Sequence, residues 1–373
     1  MINSTKKRVV LGMSGGIDSS VCAALLVEKG FDVIGITIKT YNYDEVGGTP
    51  EGDKSCCSLE GINEARIIAQ QFGIPHYVLD FTKVFNEQII ENFRDEYMLG
   101  RTPNPCVICN RKIKWEELIA KSIQLGADYI AMGHYANLRL DEKLNRYIIS
   151  RGKDLSKDQS YMLWNVTQES LSKTIFPLGE FTKEEVRQIA RDKNLRNADK
   201  QESFEICFIT DNSYERFLKF KDPNLEKNLD KGEVILNDKV VGHHKGYPFY
   251  TIGQRKGINI SSSEPVYVTK INNNTNQITV GSEDDLKGNE VQASKLNLIK
   301  YENLNEGKNL TVKIRYKDTD EPAFVKQLDG SGNGEGNVLI KFDKYKRAVT
   351  PGQSIVFYEN DDLVGGAIID SVK

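Results

Sequence analysis

The sequence predicts an α/β protein with a doubly wound parallel sheet, followed by small β-rich domains that include a C-terminal β-barrel. Three observations carry this prediction. The chain of 373 residues is longer than the roughly 150 residues of an ordinary domain, so we expect two or three domains. The first half alternates strand and helix patterns, as parallel βαβ units do. From Gly232 onward, short alternating segments separated by Asn, Gly and Asp turns indicate β-barrels.

The first βαβ unit shows the pattern most clearly. Residues 8–13 predict a short buried strand, residues 19–29 a helix that ends before Gly30, and residues 31–38 a second strand. The elements predicted after it are a loop at 43–58, a helix between Ile62 and Phe72, a strand at 76–81, a helix near 84–98, a helix ending near Gly126 and a strand at 129–132. Four such alternations favour a doubly wound sheet.

The pattern changes after Ile209, where short strands replace the longer alternation. A Gly-rich run at 330–336 predicts a hairpin loop, because strand patterns flank it. The segments that predict strands are 266–268, 277–280, 311–314 and 338–341. We therefore expect three domains: an α/β domain at 1–209, a small β-rich domain at 210–285 and a C-terminal β-barrel at 286–373.

Composition excludes several classes of protein. With 39% hydrophobic and 28% charged residues, the chain is neither disordered nor fibrous. No apolar run approaches the roughly 18 residues of a membrane span, and the N-terminus is too poor in apolar residues for a signal peptide, so we expect a cytoplasmic protein without a membrane partner. The net charge of −3 excludes a strongly basic protein that coats nucleic acid over its whole surface. It permits a local basic groove, because charges act over a Debye length of about 8–10 Å.

The most informative segment is the loop from Gly12 to Ser20, which reads Gly-Met-Ser-Gly-Gly-Ile-Asp-Ser-Ser. It joins a strand to a helix N-terminus, where small residues let backbone N–H groups approach a phosphate closely. It has no Walker lysine, and its glycine spacing differs from Gly-x-Gly-x-x-Gly. Ser-Gly-Gly-x-Asp-Ser resembles the pyrophosphate (PP) loop of ATP pyrophosphatases, which cleave ATP to form an adenylate. The alternative is a Gly-rich turn capped by Asp18 or Ser19.

An adenylated carbon requires a nucleophile, and the cysteines are the candidates. Six cysteines in a long chain without an export signal do not indicate a disulfide framework. Cys106 and Cys109 form a Cys-x-x-Cys that precedes a basic stretch at 111–114, a setting that lowers the pKa of a thiol. Cys207 lies in an apolar stretch that also suits an ordinary buried cysteine.

Several short motifs follow in a fixed order along the chain. They are Thr-Pro-Asn-Pro at 102–105 with Cys109, Asn110 and Lys114, Met-Gly-His-Tyr at 132–135, Lys-Asp-Gln-Ser-Tyr at 157–161, Glu-Ile-Cys-Phe-Ile at 205–209, Tyr-Thr-Ile-Gly-Gln-Arg-Lys-Gly at 250–257 and Thr-Pro-Gly-Gln-Ser at 350–354. The ordered set spans Val10 to Gly366 and resembles the tRNA-specific 2-thiouridylase family. The resemblance implies an adenine nucleotide alpha hydrolase-like catalytic domain, ATP and Mg²⁺ as cofactors, and tRNA as the substrate.

The resemblance also implies roles for single residues. Cys207 matches the position that carries a persulfide, and Cys109 matches the nucleophile that can pair with it in a disulfide. Asp18 is the third candidate catalytic residue. Positions implied to bind ATP are Gly12, Met13, Ser14, Gly15, Gly16, Ile17, Asp18, Ser19, Ile38 and Gly133. Positions implied to contact tRNA are Asn104, Pro105, Cys106, His134, Lys157, Asp158, Gln159, Arg315, Tyr316 and Gln353.

The implied reaction replaces O2 of the wobble uridine with sulfur. Adenylation makes that oxygen part of a good leaving group, AMP, and a persulfide on Cys207 is a better nucleophile than a thiol. Attack by Cys109 on the inner sulfur would release 2-thiouridine and leave a disulfide for a cytosolic reductant to reopen. The implied sulfur source is a sulfur-relay partner or a cysteine desulfurase.

Cys106 departs from the family, in which many members carry Asp at this position. Cys106, Cys109 and Cys207 thus offer three thiolates, enough for a [4Fe–4S] cluster whose open iron would bind hydrosulfide as an alternative sulfur source. The Cys-x-x-Cys alone is also compatible with a redox pair or with zinc, although a closed zinc site lacks a fourth protein ligand. For Cys56 and Cys57, a structural role and accessory sulfur handling both stay open.

The sequence leaves two alternatives to thiolation. Another ATP pyrophosphatase, amidotransferase-coupled or lysine-ligating, would need no paired cysteines and would transfer its activated group to an amine. A nucleotide-gated tRNA-binding module would have no catalysis, so loss of its cysteines would leave its activity unchanged.

Overall fold

The computed structural model describes residues 6–48, 59–200, 206–209, 211 and 213–373, and the chain divides into two compact units. The first unit comprises Met1–Ile89, Cys106–Asn212 and Asp361–Leu363, and the second Ile90–Pro105, Ser213–Asn360 and Val364–Lys373. Cys56 and Cys57 lie outside the described residues. The segment just before Cys106 belongs with the C-terminal half of the chain.

The N-terminal half alternates strands and helices. Its elements are β1 (Arg8–Gly12), α1 (Ile17–Glu28), β2 (Asp32–Lys39), α2 (Leu59–Gln71), β3 (His76–Asp80), α3 (Thr82–Phe85), α4 (Glu91–Met98), α5 (Pro105–Cys109), α6 (Leu118–Gln124), β4 (Tyr129–Ala131), β5 (Ala136–Asp141), β6 (Arg146–Arg151), α7 (Gln168–Ser172), β7 (Thr174–Ile175) and α8 (Lys183–Asp192). A π-helical stretch at Asn86–Ile90 connects α3 to α4, and a second at Asn110–Glu117 connects α5 to α6.

The core of the first unit is a five-stranded parallel sheet with the order β3-β2-β1-β4-β7. Strand β1 lies in the middle, and its Leu11 is paired with Gly35 of β2 and Ala131 of β4. The strand order reverses between β1 and β4. In open α/β sheets, ligands bind outside the carboxyl ends of the strands at such a reversal. The loop after β1 therefore starts at the expected ligand-binding edge.

The sequence explains why β1 occupies the centre. Its apolar run Val9, Val10 and Leu11 is fully buried, as expected for a parallel strand covered on both faces. Helix α1 is also buried along most of its length, and it packs into the same core as α2 and α8. The predicted doubly wound sheet is confirmed.

The second unit is mainly β. Its elements after residue 213 are α9 (Tyr214–Lys221), α10 (Leu225–Leu229), β8 (Gly232–Leu236), β9 (Lys239–His244), β10 (Tyr267–Asn272), β11 (Gln277–Gly281), β12 (Lys287–Leu298), β13 (Lys308–Lys313), β14 (Glu321–Gln327), β15 (Val338–Arg347), β16 (Ser354–Glu359) and β17 (Asp362–Val372). Strands β10-β11-β8-β9 form one sheet, and β12-β15-β14-β13-β16-β17 close into a barrel through the β12–β17 pairing.

The barrel confirms the predicted C-terminal β structure. Strands β14 and β15 pair in antiparallel fashion on either side of the Gly-rich run at 330–336, so this run is the hairpin loop expected from the sequence. The β5–β6 hairpin was not predicted, because its segments alternate less clearly between apolar and polar residues. Among the described residues, no helix combines the length and the apolar character needed to span a membrane.

The central position of β1 predicts a large cost for removing core volume there. Leu11→Ala should lower the free energy of unfolding by about 3 kcal/mol, because Leu11 is fully buried and the cavity would lie between packed layers. Leu140→Ala on β5 is the matched control, since this leucine is 49% exposed, and its cost should stay below about 1 kcal/mol. Urea unfolding of both variants tests the difference, and equal losses would contradict the assignment of β1 to the core.

Candidate active site

The loop after β1 leads into the start of α1 at the carboxyl edge of the sheet. Gly16 is the N-cap of α1 and provides no side-chain acceptor for the first helical N–H groups. The hydroxyls of Ser19 and Ser20 each donate to the Gly16 carbonyl at 3.0 Å, and the Ser14 N–H donates to Ser19 Oγ at 3.2 Å. Backbone N–H groups at a helix start with no side-chain cap are a ready site for an anion.

Gly15 cannot be replaced without moving the loop. Its φ of +71° lies in the left-handed region, and a Cβ added there would lie 2.2 Å from the Gly61 carbonyl oxygen. The buried side chain of Asn197 donates to the Gly15 carbonyl at 3.1 Å and to Ser20 Oγ at 2.9 Å. The loop conformation is therefore fixed from α2 on one side and from the segment after α8 on the other.

Asp18 is held by two side chains from distant parts of the sequence. Lys183 Nζ lies 2.8 and 2.9 Å from its two carboxylate oxygens, and the Tyr135 hydroxyl donates to Oδ1 at 2.6 Å. Lys183 is only 8% exposed although it is the first residue of α8, where the helix dipole disfavours a cation. The ion pair with Asp18 explains this placement. A fixed cation thus lies beside a phosphate-type loop that has no lysine of its own.

Two further positions expected to bind ATP lie at the same carboxyl edge. Ile38 is half-buried near the end of β2. Gly133 follows β4, and a Cβ there would lie 3.2 Å from the Ser19 nitrogen and 3.3 Å from the Asp18 carbonyl carbon. A side chain at this position would press on the loop backbone, so glycine allows the end of β4 to approach α1 closely.

Cys207 is half-buried in a short turn, and a residue that follows the end of β2 holds this turn. The hydroxyl of the buried Tyr41 donates to the Cys207 carbonyl at 2.6 Å. The neighbouring Phe208 is buried, and its ring lies 5.8 Å from the ring of Phe85 in an edge-to-face arrangement. Phe208 and Ile209 therefore anchor the turn, and the cysteine itself is less buried than they are.

Cys109 ends α5 and is half-buried, while Cys106 in the first turn of the same helix is exposed. The next residue, Asn110, is buried and donates to the Met162 carbonyl at 2.9 Å. The π-helical stretch that follows Cys109 is a rare conformation that occurs often at functional sites. The helix that carries both cysteines is thus tied to the segment around residue 160.

Hydrogen bonds link that segment back to the phosphate-type loop. The Met162 N–H donates to the Gln159 carbonyl at 2.9 Å, and the Gln159 N–H donates to the Tyr135 carbonyl at 2.9 Å. The Tyr135 N–H donates to Gln159 Oε1 at 3.1 Å, and its hydroxyl bonds Asp18. One chain of bonds therefore runs from Asn110, next to Cys109, to the loop carboxylate.

The basic stretch after Cys109 is largely engaged in ion pairs. Arg111 Nε lies 2.9 Å from one oxygen of Glu116, and Lys112 Nζ lies 2.8 Å from the other. The third cation, Lys114, influences His134. Burial is the main cause that holds the pKa of the His134 imidazole well below its ordinary value, and the charge of Lys114 lowers this pKa further. The expected enrichment of positive charge beside Cys109 is therefore reduced by Glu116.

Family models match the chain in three consecutive segments. A tRNA methyl transferase HUP domain matches residues 7–211, a tRNA methyl transferase PRC-barrel domain residues 222–282 and an aminomethyltransferase beta-barrel domain residues 289–369. The tRNA-specific 2-thiouridylase MnmA of Salinibacter ruber is 48% identical over 371 residues, which cover 99% of this chain and 96% of that protein. The chain belongs to the tRNA-specific 2-thiouridylase family.

Other members of the family show the same degree of similarity. The 2-thiouridylase MnmA of Amoebophilus asiaticus is 48% identical over 98% of this chain and 95% of its own length. The 2-thiouridylase MnmA 1 of Caldanaerobacter subterraneus is 48% identical over 97% of this chain and 98% of its own length. Since these matches run over nearly the full length of each protein, they include both compact units.

The family positions expected to contact tRNA fall into two groups, of which the first lies in the first unit. Lys157 and Gln159 are half-buried, and His134 is buried with its ring 5.4 Å from that of Trp115. Asp158 is buried, and its carboxylate accepts hydrogen bonds from the Gly152 and Ser160 N–H groups and the Ser160 hydroxyl. In this structure Asp158 therefore stabilises the turn that carries Lys157 and Gln159.

The second group lies in the second unit. Asn104 is half-buried and Pro105 is buried, at the start of α5. Arg315 is exposed and Tyr316 half-buried in the turn after β13. Gln353 Nε2 donates to the Thr102 carbonyl at 2.8 Å and to the Pro103 carbonyl at 3.2 Å. Of these side chains, Arg315 is the one with a cation open to a polyanion.

The described residues give no evidence for the [4Fe–4S] cluster. Across the described ranges, which include Cys106, Cys109 and Cys207, no group of three or more His, Cys, Asp or Glu side chains is arranged to hold a metal ion. Three thiolates must converge on one cluster before an open iron can bind sulfide. The cluster therefore has no structural evidence behind it. A Cys109–Cys207 disulfide also requires the two thiols to approach each other, so this observation does not choose between the two sulfur routes.

Sequence patterns alone missed several residues of the site. Lys183, Asn197 and Tyr41 were not predicted, since each acts through a contact that is more than a hundred positions away along the chain. A signal for Lys183 was present in its position: a buried lysine that opens a helix requires an anionic partner. Asp18 is the partner.

The Asp18–Lys183 pair predicts a measurable coupling in a double-mutant cycle. Asp18→Asn and Lys183→Met should each lower the free energy of unfolding by about 1–3 kcal/mol, because each leaves a partly buried polar partner uncompensated. The double variant should lose less than the sum of the two. The exposed pair Lys7 and Asp128, in which Lys7 Nζ lies 3.0 Å from a carboxylate oxygen, is the control and should show a much smaller coupling. Equal coupling in both cycles would refute the proposed special environment of Asp18.

Buried His134 predicts a dependence of stability on pH. Its pKa is depressed in the folded protein, so the unfolded chain binds a proton at higher pH than the folded chain does. Stability should therefore fall as pH decreases below the ordinary value of 6.5. His134→Gln should weaken this fall, as measured by urea unfolding at a series of pH values. A variant with the same pH dependence as the original protein would show that His134 does not titrate as its burial requires.

Proposed function

We propose that this protein is a tRNA 2-thiouridylase that uses ATP to activate O2 of the wobble uridine and replaces that oxygen with sulfur. The observation that carries the proposal is the full-length match to relatives named as tRNA-specific 2-thiouridylases, at 48% identity. The anion-binding loop and the anchored cysteines supply the chemistry that this activity needs. Products are 2-thiouridine in tRNA, AMP and pyrophosphate.

The nucleotide is assigned to the carboxyl edge of the parallel sheet. Backbone N–H groups of residues 12–19 would hold the phosphates of ATP, with Ile38 and Gly133 beside the adenosine. Mg²⁺ would bind mainly through the phosphates, since it commonly takes only one or two protein carboxylates. Asp18 is the carboxylate at hand, and Lys183 lies at 2.8 Å from it to balance charge on the phosphates. Bound Mg²⁺ would screen the negative charge of pyrophosphate as it leaves.

The reaction begins with attack of the uridine O2 on the α-phosphorus of ATP. The bond between the α-phosphorus and the bridging oxygen breaks, and pyrophosphate leaves. The base then carries an AMP group on the former carbonyl oxygen, so C2 is open to a nucleophile. Fixed N–H donors and a buried cation favour this step because charge develops on phosphate oxygens that they already face.

Sulfur transfer then needs two cysteines. The terminal sulfur of a Cys207 persulfide attacks C2, and AMP leaves with the oxygen. The thiolate of Cys109 attacks Cys207 Sγ, which forms a Cys109–Cys207 disulfide and releases the terminal sulfur on the base as 2-thiouridine. The two electrons that reduce the sulfane sulfur come from these two thiols, and a dithiol reductant returns them for the next cycle.

The other parts of the chain are assigned to tRNA and to the sulfur supply. The domain at 1–209 performs the chemistry, while the domains at 210–285 and 286–373 help to bind tRNA. Lys157, Arg315 and the exposed Cys106 helix turn are candidate contacts, in line with the family positions. A sulfur-relay protein or a cysteine desulfurase loads Cys207, and we place the enzyme in the cytoplasm with these partners.

The descriptions of two family models mention methyl transfer, and the reaction product separates the two activities. A methyltransferase would add a methyl group to tRNA and would have no need for ATP or for Cys109 and Cys207. Thiolation exchanges oxygen for sulfur. Nucleoside mass spectrometry of tRNA incubated with ATP, Mg²⁺ and a persulfide donor distinguishes these outcomes, and a methylated product would refute the proposal.

The two half-reactions should separate in a Cys207→Ser variant. We expect it to keep tRNA-dependent formation of AMP and pyrophosphate from ATP but to form no 2-thiouridine, because a hydroxyl cannot carry sulfane sulfur. Cys22→Ala is the control, since this cysteine is fully buried in α1, and it should keep both activities. Persistent thiolation by Cys207→Ser, or release of ADP and phosphate in place of AMP, would contradict the mechanism.

The iron content of anaerobically prepared protein tests the sulfur source. The persulfide route predicts a colourless, iron-free protein that is active with a persulfide donor. About four irons per chain, together with thiolation from free sulfide, would instead support the [4Fe–4S] route.

A further inference from the structure

The segment that leads into the cysteine helix is fastened to the C-terminal barrel. Residues 102 and 103 lie shortly before α5, and they contact the turn at 350–353 between β15 and β16; both segments belong to the second unit. The family resemblance implies that residues 104–106 face the target base. The role that we infer for the barrel turn rests on the proposed function.

Gln353 uses its side-chain donors on the backbone of this segment. Its Nε2 donates to the Thr102 carbonyl at 2.8 Å and to the Pro103 carbonyl at 3.2 Å. A glutamine amide has two N–H donors, and both are engaged here. Phosphate oxygens only accept hydrogen bonds, so while Gln353 holds residues 102 and 103 it offers tRNA only the acceptor Oε1, which cannot bond a phosphate oxygen.

The turn approaches the same residues with its own backbone. The Thr102 N–H donates to the Pro351 carbonyl at 2.8 Å. Gly352 has a φ of +90°, and a Cβ added there would lie 2.9 Å from both the nitrogen and the oxygen of Thr102. Glycine is thus required both by its conformation and by the close contact with a backbone that cannot move aside like a side chain.

The turn is itself anchored to β17. The Gly352 N–H donates to the Ile369 carbonyl at 2.8 Å, and the Ile369 N–H donates to the Gln353 carbonyl at 2.9 Å. Arg101 reaches the same strand: its guanidinium lies 3.2 Å from an Asp370 oxygen and donates to the Ile369 carbonyl at 3.2 Å. A further bond of 2.7 Å joins Arg101 Nε to Glu96. The segment before Asn104 is therefore fixed to a barrel strand by side-chain and backbone bonds.

We propose that Gln353 is a positioning residue: together with Gly352 and Arg101, it fixes residues 102 and 103 so that Asn104 is presented to the target base. Gln353 acts through these two carbonyls and not through a hydrogen bond to a tRNA phosphate. The barrel thereby contributes to the rate of the reaction in addition to any tRNA surface that it offers.

A Gln353→Met variant tests this role, because methionine has a similar length, no charge and no N–H donor. We expect the single-turnover rate of 2-thiouridine formation at saturating tRNA to fall by about 10- to 100-fold, since small displacements of a positioned group are costly. The Kd for tRNA should stay within about twofold of the original value, because no phosphate contact is lost. Hydrogen exchange of the peptide covering 99–106 should become faster.

Gln292→Met is the matched control, because Gln292 is exposed on β12 of the same barrel, and it should leave the rate, the Kd and the exchange unchanged. Gly352→Ala is the second variant, since it disturbs residue 102 without altering a group that could bind RNA. It should reproduce the slower rate and the faster exchange, and circular dichroism verifies its folding.

Three results would overturn the proposal. A rise of about tenfold or more in the Kd for tRNA, whatever the rate, would make Gln353 a direct tRNA contact. An unchanged rate at saturating tRNA would remove its effect on the reaction. Unchanged hydrogen exchange at 99–106 would show that the glutamine does not fix this segment. Failure of the original protein to thiolate tRNA would refute the proposed function, whereas hydrogen exchange would still decide whether Gln353 holds the segment.

Discussion

The carboxylate of Asp18 is the contact on which the arrangement of the active site depends. It lies in the first turn of α1, and it binds Lys183 from α8 and Tyr135 from the segment after β4. These contacts fix the loop relative to both strands at the reversal of the sheet. They also resolve a chemical difficulty of the loop, which resembles a phosphate site without a lysine. The cation is supplied from another helix, and its ion pair with Asp18 keeps it in place.

The cysteines depend on the same framework through longer paths. A series of hydrogen bonds connects Tyr135 through Gln159 and Met162 to Asn110, next to Cys109. Cys207 is connected to the end of β2 through Tyr41, while its own side chain stays partly exposed. The loop at Gly12–Ser20 and the two cysteines proposed to transfer sulfur are thus supported by one sheet edge. This arrangement suits a reaction in which one site first activates a base and then attacks it with sulfur.

Local patterns predicted much of the fold, and distant contacts account for what they missed. The strand, loop and helix around Gly12–Ser20 follow from apolar runs, glycines and a helix start that lie side by side in the sequence. The Asp18–Lys183 pair joins positions 165 residues apart, so no local pattern predicts it. The same holds for Gln353, which bonds the Thr102 carbonyl 251 residues away. The spacing of the three cysteines could not decide between a persulfide and a cluster, because composition and spacing do not determine where side chains converge.

The fate of the uridine oxygen tests the central claim most directly. In the proposed mechanism, O2 of the wobble uridine leaves as part of AMP. A tRNA whose uridines carry a heavy oxygen isotope at O2 would be incubated with the protein, ATP, Mg²⁺ and a persulfide donor, and the AMP would be analysed by mass spectrometry. We expect the heavy isotope in the phosphate of AMP, in an amount equal to the 2-thiouridine formed. Formation of 2-thiouridine with unlabelled AMP would contradict the account.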